Sequence, residues 1–195
     1  MCCQTFIPLT GAINCFFWYD VVMALIYITG IAGAGKSEVY KELKSRGYIV
    51  YGIDEDQLAG FYDNETGERL LNPPQNPEDR TPEWRKKYTY KVPRKTIEEL
   101  KSKSTDQDIY LCGVAGNEEE FLVLFDKLIA LVIDDKTLEE RITSRTTNNF
   151  GKTPHELAGI MDWQSNTSEY YRKYDYRVID ATQPVQEVVN EVIAP

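Results

Sequence analysis

The clearest chemistry lies in a glycine-rich segment, Gly30–Ser37, that follows the apolar run 24–29 and fits the spacing G-x-x-x-x-G-K-[ST] in full. Glycines permit positive φ, which turns backbone N–H groups inward around phosphate oxygens, and a helix that starts there adds partial positive charge. The lysine suits the β- and γ-phosphates, and the serine hydroxyl suits Mg²⁺. The loop therefore predicts a nucleoside triphosphate site, with contacts from Gly30, Ala32, Gly33, Ala34, Gly35, Lys36, Ser37 and Glu38.

Two acidic residues, Asp54 and Asp56, follow a predicted strand over 48–53. Residues two apart on a strand point to the same side, and the carboxyl ends of parallel strands line the crevice where ligands bind. One carboxylate is expected to orient or deprotonate an acceptor hydroxyl, and the other to support the metal. The alternative is a pair of surface carboxylates that cap a helix start.

Two arginines, Arg141 and Arg145, lie four residues apart in a predicted helix over 136–146 and therefore share one face of it. A glycine-containing loop follows them. This arrangement is typical of a lid that brings positive charge onto phosphates while water is excluded. The alternative is a pair of solvated arginines that bind Glu139 or Glu140.

A basic and aromatic segment covers 80–95. Its charged and aromatic residues are Arg80, Arg85, Lys86, Lys87, Arg94 and Lys95, with Trp84, Tyr88 and Tyr90. Guanidinium groups suit carboxylates or phosphates, and aromatic rings suit another ring, so Arg80 and Arg94 are candidates for binding an anionic or aromatic acceptor. The alternative is a charged helix on the surface.

The elements that must position these residues alternate along the chain. Strands are predicted over 24–29, 48–53, 108–113, 128–134 and 176–180. Helices are predicted over 35–46, 117–127, 136–146, 154–174 and 183–193, and a further one starts at Thr81 and runs to about 103 with an interruption near Pro93. This alternation, with short continuous apolar strands, predicts an α/β fold with a parallel sheet.

The composition is that of an ordinary globular chain of 195 residues, which suggests one domain. The net charge of −9 argues against a nucleic acid polymer as partner. The four cysteines include no CxxC pair, which indicates a reducing, cytoplasmic setting.

The first 22 residues contain no Lys or Arg, and Asp20 interrupts their apolar run, so they resemble neither a secretory signal nor a membrane helix. We interpret them as a non-essential leader ahead of a domain over 23–195, and expect no membrane partner. The alternative is a membrane-associating tail acylated at Cys2 or Cys3.

Over 23–195 the chain resembles the P-loop small-molecule kinases, which include adenylate-kinase-like, shikimate-kinase-like and gluconate-kinase-like proteins. Four segments carry the resemblance: the glycine loop, GIDED at 52–56, LEERITSRTTNNFGK at 138–152 and VIDATQPVQEVV at 178–189. The resemblance implies a five-stranded parallel sheet with flanking helices, an acceptor-binding insertion over about 56–104 and a mobile lid over about 143–153. It also implies that Asp180 and Ala181 lie near the adenine.

One departure from the family concerns the metal. The third strand ends in YLCGVAGN without an acidic residue, so the resemblance implies that Asp54, with Ser37, holds Mg²⁺. The second acidic candidate, Asp134 with Asp135, is better explained as a helix N-cap.

The resemblance implies an ATP-dependent phosphotransferase. Lys36, Asp54, Asp56, Arg141 and Arg145 are its expected catalytic residues, and Asp54, Asp56, Arg80 and Arg94 its expected acceptor-binding residues. Nucleosides, nucleotides and hydroxy acids all stay open as the small-molecule acceptor. A regulatory nucleotide-binding NTPase without an acceptor is the alternative, and the oligomeric state is left open.

Overall fold

The computed structural model describes residues 23–76, 79–146 and 150–195, so the predicted leader lies outside the described residues. The strands are β1 (Leu25–Thr29), β2 (Ile49–Gly52), β3 (Gly60–Asp63), β4 (Tyr88–Lys91), β5 (Ile109–Cys112), β6 (Lys127–Val132) and β7 (Arg177–Asp180). The helices are α1 (Lys36–Ser45), α2 (Pro82–Lys87), α3 (Arg94–Lys103), α4 (Asp135–Ser144), α5 (Pro154–Lys173) and α6 (Val185–Ile193).

Five of the strands form one parallel sheet in the order β2-β5-β1-β6-β7. The central strand β1 is buried along its whole length, because apolar clusters cover both faces of the sheet. The predicted α/β fold with a five-stranded parallel sheet is confirmed. Since β1 is central, the glycine loop that follows it emerges at the middle of the sheet's carboxyl edge.

The predicted helix over 117–127 is wrong. The chain instead makes two short 3-10 turns, Glu118–Glu120 and Leu122–Leu124, before β6 begins. The rings of Phe121 and Phe125 lie 6.0 and 5.1 Å from that of Tyr27, between centroids. These contacts hold the segment against β1.

The insertion after β2 also differs from its prediction. Thr81 does cap α2, since its hydroxyl accepts a hydrogen bond from the Trp84 N–H at 3.2 Å. The helix then ends at Lys87, and the next four residues form β4, which pairs antiparallel with β3. The sequence Tyr-Thr-Tyr-Lys favours a strand, and pairing with β3, which is distant in sequence, allowed the strand to form.

The insertion is attached to the sheet by the loop after β5. The Gly116 N–H donates to the Tyr90 carbonyl at 2.7 Å. The buried Asn117 side chain accepts from the Val92 N–H and donates to the Val92 carbonyl, both at 3.0 Å. Asn117 therefore binds both backbone polar groups of Val92, at the junction between β4 and α3.

We expect Asn117→Ala to lower the free energy of unfolding by about 2–4 kcal/mol, because it leaves two buried backbone groups of Val92 without a partner. Urea denaturation measures the loss. Asn117→Asp should be at least as destabilising, because its buried carboxylate would face the Val92 carbonyl and the Glu120 carboxylate, the two acceptors of the Asn117 amide. A loss below about 1 kcal/mol would contradict this role.

In the described ranges no helix combines the length and apolarity needed to cross a membrane.

Candidate active site

The glycine loop presents backbone N–H groups at the start of α1. Gly33 and Gly35 have φ angles of 90° and 95°, a backbone conformation that residues other than glycine rarely adopt. Gly35 is the N-cap of α1, and no side chain of the described part makes a capping hydrogen bond there. The first-turn amides of α1 are thus left for solvent or a ligand, which is the arrangement expected of an anion site.

The Lys36 ammonium folds back onto its own loop. It donates to the carbonyls of Gly30 and Ile31 at 2.6 and 2.8 Å. Burial lowers the pKa of Lys36 to about 8, the nearby Asp54 carboxylate opposes this fall, and the Arg145 charge adds to it. The lysine is therefore a desolvated cation at the loop, close to a carboxylate from β2 and an arginine from the predicted lid.

Because only the protonated ammonium attracts phosphate, we expect nucleotide affinity to be steady below pH 8 and to fall as the pH rises through it. The limiting slope is about tenfold per pH unit, since the bound phosphates hold the proton on Lys36. Binding of a non-hydrolysable ATP analogue from about pH 7 to about pH 9.5 measures this, and Lys36→Met should flatten the profile. A wild-type profile that stays flat would contradict it.

Two residues near Lys36 carry oxygen donors suited to magnesium: Ser37 follows it directly in sequence, and the Asp54 charge acts on it. Ser37 at the start of α1 and Asp54 after β2 are both exposed. Among the described residues no group of three or more His, Cys, Asp or Glu forms a self-contained metal site. Mg²⁺ is commonly held by one or two carboxylates together with substrate phosphates and water, so this sparse donor set fits that ion.

Asp54 and Asp56 do not lie on a strand, so the expectation that strand alternation aligns them is wrong. Strand β2 ends at Gly52, and the next residues form a turn. Asp54 accepts a hydrogen bond from the Tyr90 hydroxyl at 2.7 Å, whereas Asp56 accepts from the Gly52 N–H at 2.7 Å. The Tyr40 hydroxyl also donates to Asp56 at 3.4 Å.

The two lid arginines make different contacts. Helix α4 ends at Ser144, and Arg145 is its C-cap, whose N–H still donates to the Arg141 carbonyl at 3.1 Å. Arg145 donates to the Phe150 carbonyl. Its buried Nε has no hydrogen-bond partner in the described ranges, and burial lowers the pKa of this guanidinium. An unpaired buried N–H beside the loop suits an anion.

Arg141 joins the glycine loop to the end of β7. Its Nη2 donates to the Ala181 carbonyl at 2.9 Å, and its Nη1 lies 3.5 Å from the Gly33 carbonyl. The neighbouring Asp180 carboxylate accepts from the N–H and hydroxyl of Thr182 at 2.9 and 2.7 Å. The structure thus brings Ala181 and the loop together through Arg141, while Asp180 closes its own turn.

The acceptor candidates on the insertion also diverge. The Arg80 guanidinium lies 4.8 Å from the centroid of the Phe61 ring, and it donates to the Pro74 carbonyl through Nε and Nη2. Phe61 is in turn 5.0 Å from Tyr90, the partner of Asp54. Arg94 instead binds Glu98 at 3.0 Å and the Glu120 carbonyl. Arg80 therefore belongs to the cluster beside Asp54, and Arg94 is committed to other partners.

The insertion meets the predicted lid, of which residues 147–149 lie outside the described residues. Arg85 of α2 lies 3.9 Å from the Glu156 carboxylate, and its guanidinium lies 5.8 Å from the centre of the Phe150 ring. Glu156 also accepts from the Gly151 N–H at 3.1 Å. These contacts connect the two segments that the resemblance assigns to acceptor and nucleotide.

Two residues of the site were not singled out from the sequence. In the sequence, Tyr90 stands out only as one aromatic residue of a basic segment, and Glu55 only as part of GIDED at 52–56. The alternation of Tyr88 and Tyr90 with polar residues is a sequence signal for a strand, and both tyrosines would then lie on the same face of it. Asp134, by contrast, is the predicted N-cap: its carboxylate accepts from the Thr137 N–H at 2.8 Å.

Solved structures show the same fold. Shikimate kinase from Acinetobacter baumannii, in complex with shikimate, has 17% identity and a TM-score of 0.57, over 90% of this chain and 93% of that one. Shikimate kinase from Bacteroides thetaiotaomicron has 17% identity and a TM-score of 0.56, over 88% and 97%. A sugar kinase from a Janibacter species has 14% identity and a TM-score of 0.50, over 88% and 92%.

The chain therefore has the fold of the P-loop small-molecule kinases. The chain matches no protein-family model and no curated protein.

Proposed function

We propose that the protein is an ATP-dependent phosphotransferase that moves the γ-phosphoryl group to a hydroxyl of a small molecule. The proposal rests on the position of Asp54 near the glycine loop. Asp54 is exposed to solvent, and its carboxylate accepts a hydrogen bond from Tyr90 of the insertion. A loop for the donor and a candidate base for the acceptor lie at the same edge of the sheet, and Asp54 acts electrostatically on Lys36.

The donor side uses the loop amides and three cations. Lys36 and the first-turn amides of α1 bind the β- and γ-phosphates, and the Arg145 guanidinium stabilises the charge on the phosphoryl group in transfer. Arg141 contacts the loop from the side of Ala181 and supports the nucleotide there. Positioning and charge neutralisation account for most of the catalysis in this class of reaction.

Ser37 and Asp54 would hold magnesium, which supplies charge neutralisation between the phosphate oxygens when it is bound. Asp54 also accepts the proton of the acceptor hydroxyl, and Tyr90 keeps its carboxylate in place. A carboxylate in this position favours a hydroxyl over a phosphate as acceptor, because a phosphate would be repelled by it. Arg94, one of two arginines expected to attract an anionic acceptor, is already paired with Glu98.

The acceptor is expected to contact Arg80 and the rings around it. Phe61 and Trp84 lie 4.8 Å apart, edge to face, and the Arg80 guanidinium is close to both rings. Hydroxy acids, sugars and nucleosides all offer a hydroxyl together with a group that such a surface accepts, so the acceptor class is a matter for experiment.

A thermal-shift screen of the chain from Met23 tests the proposal. The protein is titrated with a non-hydrolysable ATP analogue and Mg²⁺, and then with panels of hydroxy acids, sugars, nucleosides and nucleoside monophosphates. A further rise from one panel, followed by transfer of labelled γ-phosphate to that compound, is the expected result. ATP hydrolysis at a rate that no acceptor changes would instead support a regulatory NTPase.

A further inference from the structure

The carboxylate of Glu55 rests over Gly52, at the carboxyl end of β2. A Cβ added to Gly52 would lie 2.2 Å from Glu55 Oε2 and 3.0 Å from its carboxyl carbon. Gly52 is paired in register with Cys112 of β5, the strand next to β1. Because residue 52 is a glycine, the side chain of Glu55 fits into a space that any other residue would occupy.

Glu55 lies at the end of a row of paired residues that runs from Gly52 through Cys112 to Ile28 of β1, the strand that leads into the glycine loop. Burial lowers the pKa of Lys36, and the charges of both Asp54 and Glu55 oppose that change. Burial also raises the pKa of the Cys112 thiol, and Glu55 raises it further. Glu55 is itself exposed to solvent, so a ligand can reach it.

Asp56 has a different environment. The Gly52 N–H donates to its carboxylate at 2.7 Å, and its own N–H donates to the Gly52 carbonyl at 2.9 Å. Both backbone polar groups of Gly52 are thus bound to Asp56, which holds the turn after β2. Asp56 therefore stabilises the turn, whereas Asp54 and Glu55 do not bind Gly52 through both of its backbone groups.

We propose that Glu55 is a positioning residue for the hydrated magnesium ion of the nucleotide, acting beside Asp54 from the space above Gly52. This inference rests on the proposed function only in that a nucleotide binds at the glycine loop. Mg²⁺ keeps several of its waters, and a second carboxylate that accepts hydrogen bonds from them orients the ion. Without the metal, Asp54 and Glu55 repel the phosphates, so nucleotide binding depends strongly on Mg²⁺.

Calorimetric titration with a non-hydrolysable ATP analogue, in Mg²⁺ and in EDTA, tests this role without any turnover. The Mg²⁺-dependent gain in affinity is the quantity compared between proteins. We expect Glu55→Gln to reduce that gain by about 10–100-fold, as is typical for partners of metal ligands, and to leave affinity in EDTA equal or higher. A gain equal to that of the wild type overturns the inference.

Two further variants separate the position of Glu55 from its charge. Glu169→Gln, at an exposed carboxylate of α5, changes the net charge equally and should keep the wild-type gain. Gly52→Ala should displace the Glu55 carboxylate and lose part of the gain, with a thermal midpoint that reports whether the turn folds. Should it not fold, Glu55→Asp, which shortens the side chain, should show the partial loss instead.

The failures are distinguishable. If the wild-type protein binds no nucleotide, the proposed function itself is contradicted. If it binds nucleotide with a Mg²⁺-dependent gain that Glu55→Gln leaves unchanged, only the role of Glu55 is wrong.

Discussion

Lys36→Ala is expected to reduce phosphotransfer by at least about 10²–10³-fold, the usual cost of removing one group that stabilises developing charge. The ammonium is already half-buried at the loop, where a charge acts more strongly on phosphate than it does in water. The affinity for the ATP analogue should fall with it. Initial rates with the acceptor that the screen identifies, together with calorimetric titration of the analogue, measure both effects.

The fold of this variant should be preserved, because the two carbonyls to which Lys36 donates belong to its own loop, so the bonds join no separate element. An unchanged thermal midpoint without nucleotide checks this. Lys41→Ala, at an exposed position of the same helix, is the matched control and should keep full activity. Wild-type phosphotransfer by Lys36→Ala would refute the assignment of the loop.

Asp54→Asn is expected to lower kcat by about 10²–10⁴-fold, the range typical of a general base. The asparagine still accepts the Tyr90 hydroxyl, so its position is kept while the ability to take a proton is lost. The KM for the acceptor should change much less than kcat. Steady-state kinetics at saturating ATP and Mg²⁺ separate the two parameters.

Tyr90→Phe is the companion variant. It leaves the base in place but removes the hydroxyl that orients it, so a smaller fall in kcat is expected. Asp106→Asn, at an exposed aspartate before β5, serves as the charge-matched control. An Asp54→Asn enzyme with kcat within about twofold of the wild type would exclude Asp54 as the base.

The glycine loop could be predicted because each of its requirements is local. Positive φ at Gly33 and Gly35, a lysine directly after the last glycine and a helix start are all properties of eight consecutive residues. The Thr81 N-cap was predictable for the same reason, since its hydrogen-bond partner Trp84 is three residues away. The apolar strands could be predicted as well, because strands buried on both faces have continuous apolar sequences.

The turn after β2 was not predictable in this way. Alternation assigns Asp54 and Asp56 to one side only if the strand continues through them, and nothing within the segment shows that it stops at Gly52. Asp56 binds back to Gly52 across four residues, while Asp54 reaches Tyr90 across 36 positions of sequence. The partners of Arg141 and Arg145 were equally hidden, because these arginines bind the carbonyls of Ala181 and Phe150.

The sequence by itself therefore determined the fold class, the loop that the nucleotide is proposed to occupy and the caps of its helices. The patterns that indicate all of these are local in sequence, although the parallel sheet itself pairs strands that are far apart along the chain. Only the tertiary structure decided which carboxylates and guanidinium groups face that loop. Those directions depend on Gly52 and Cys112 being neighbours, and on Tyr90 being held by Gly116, contacts between segments that no local pattern relates.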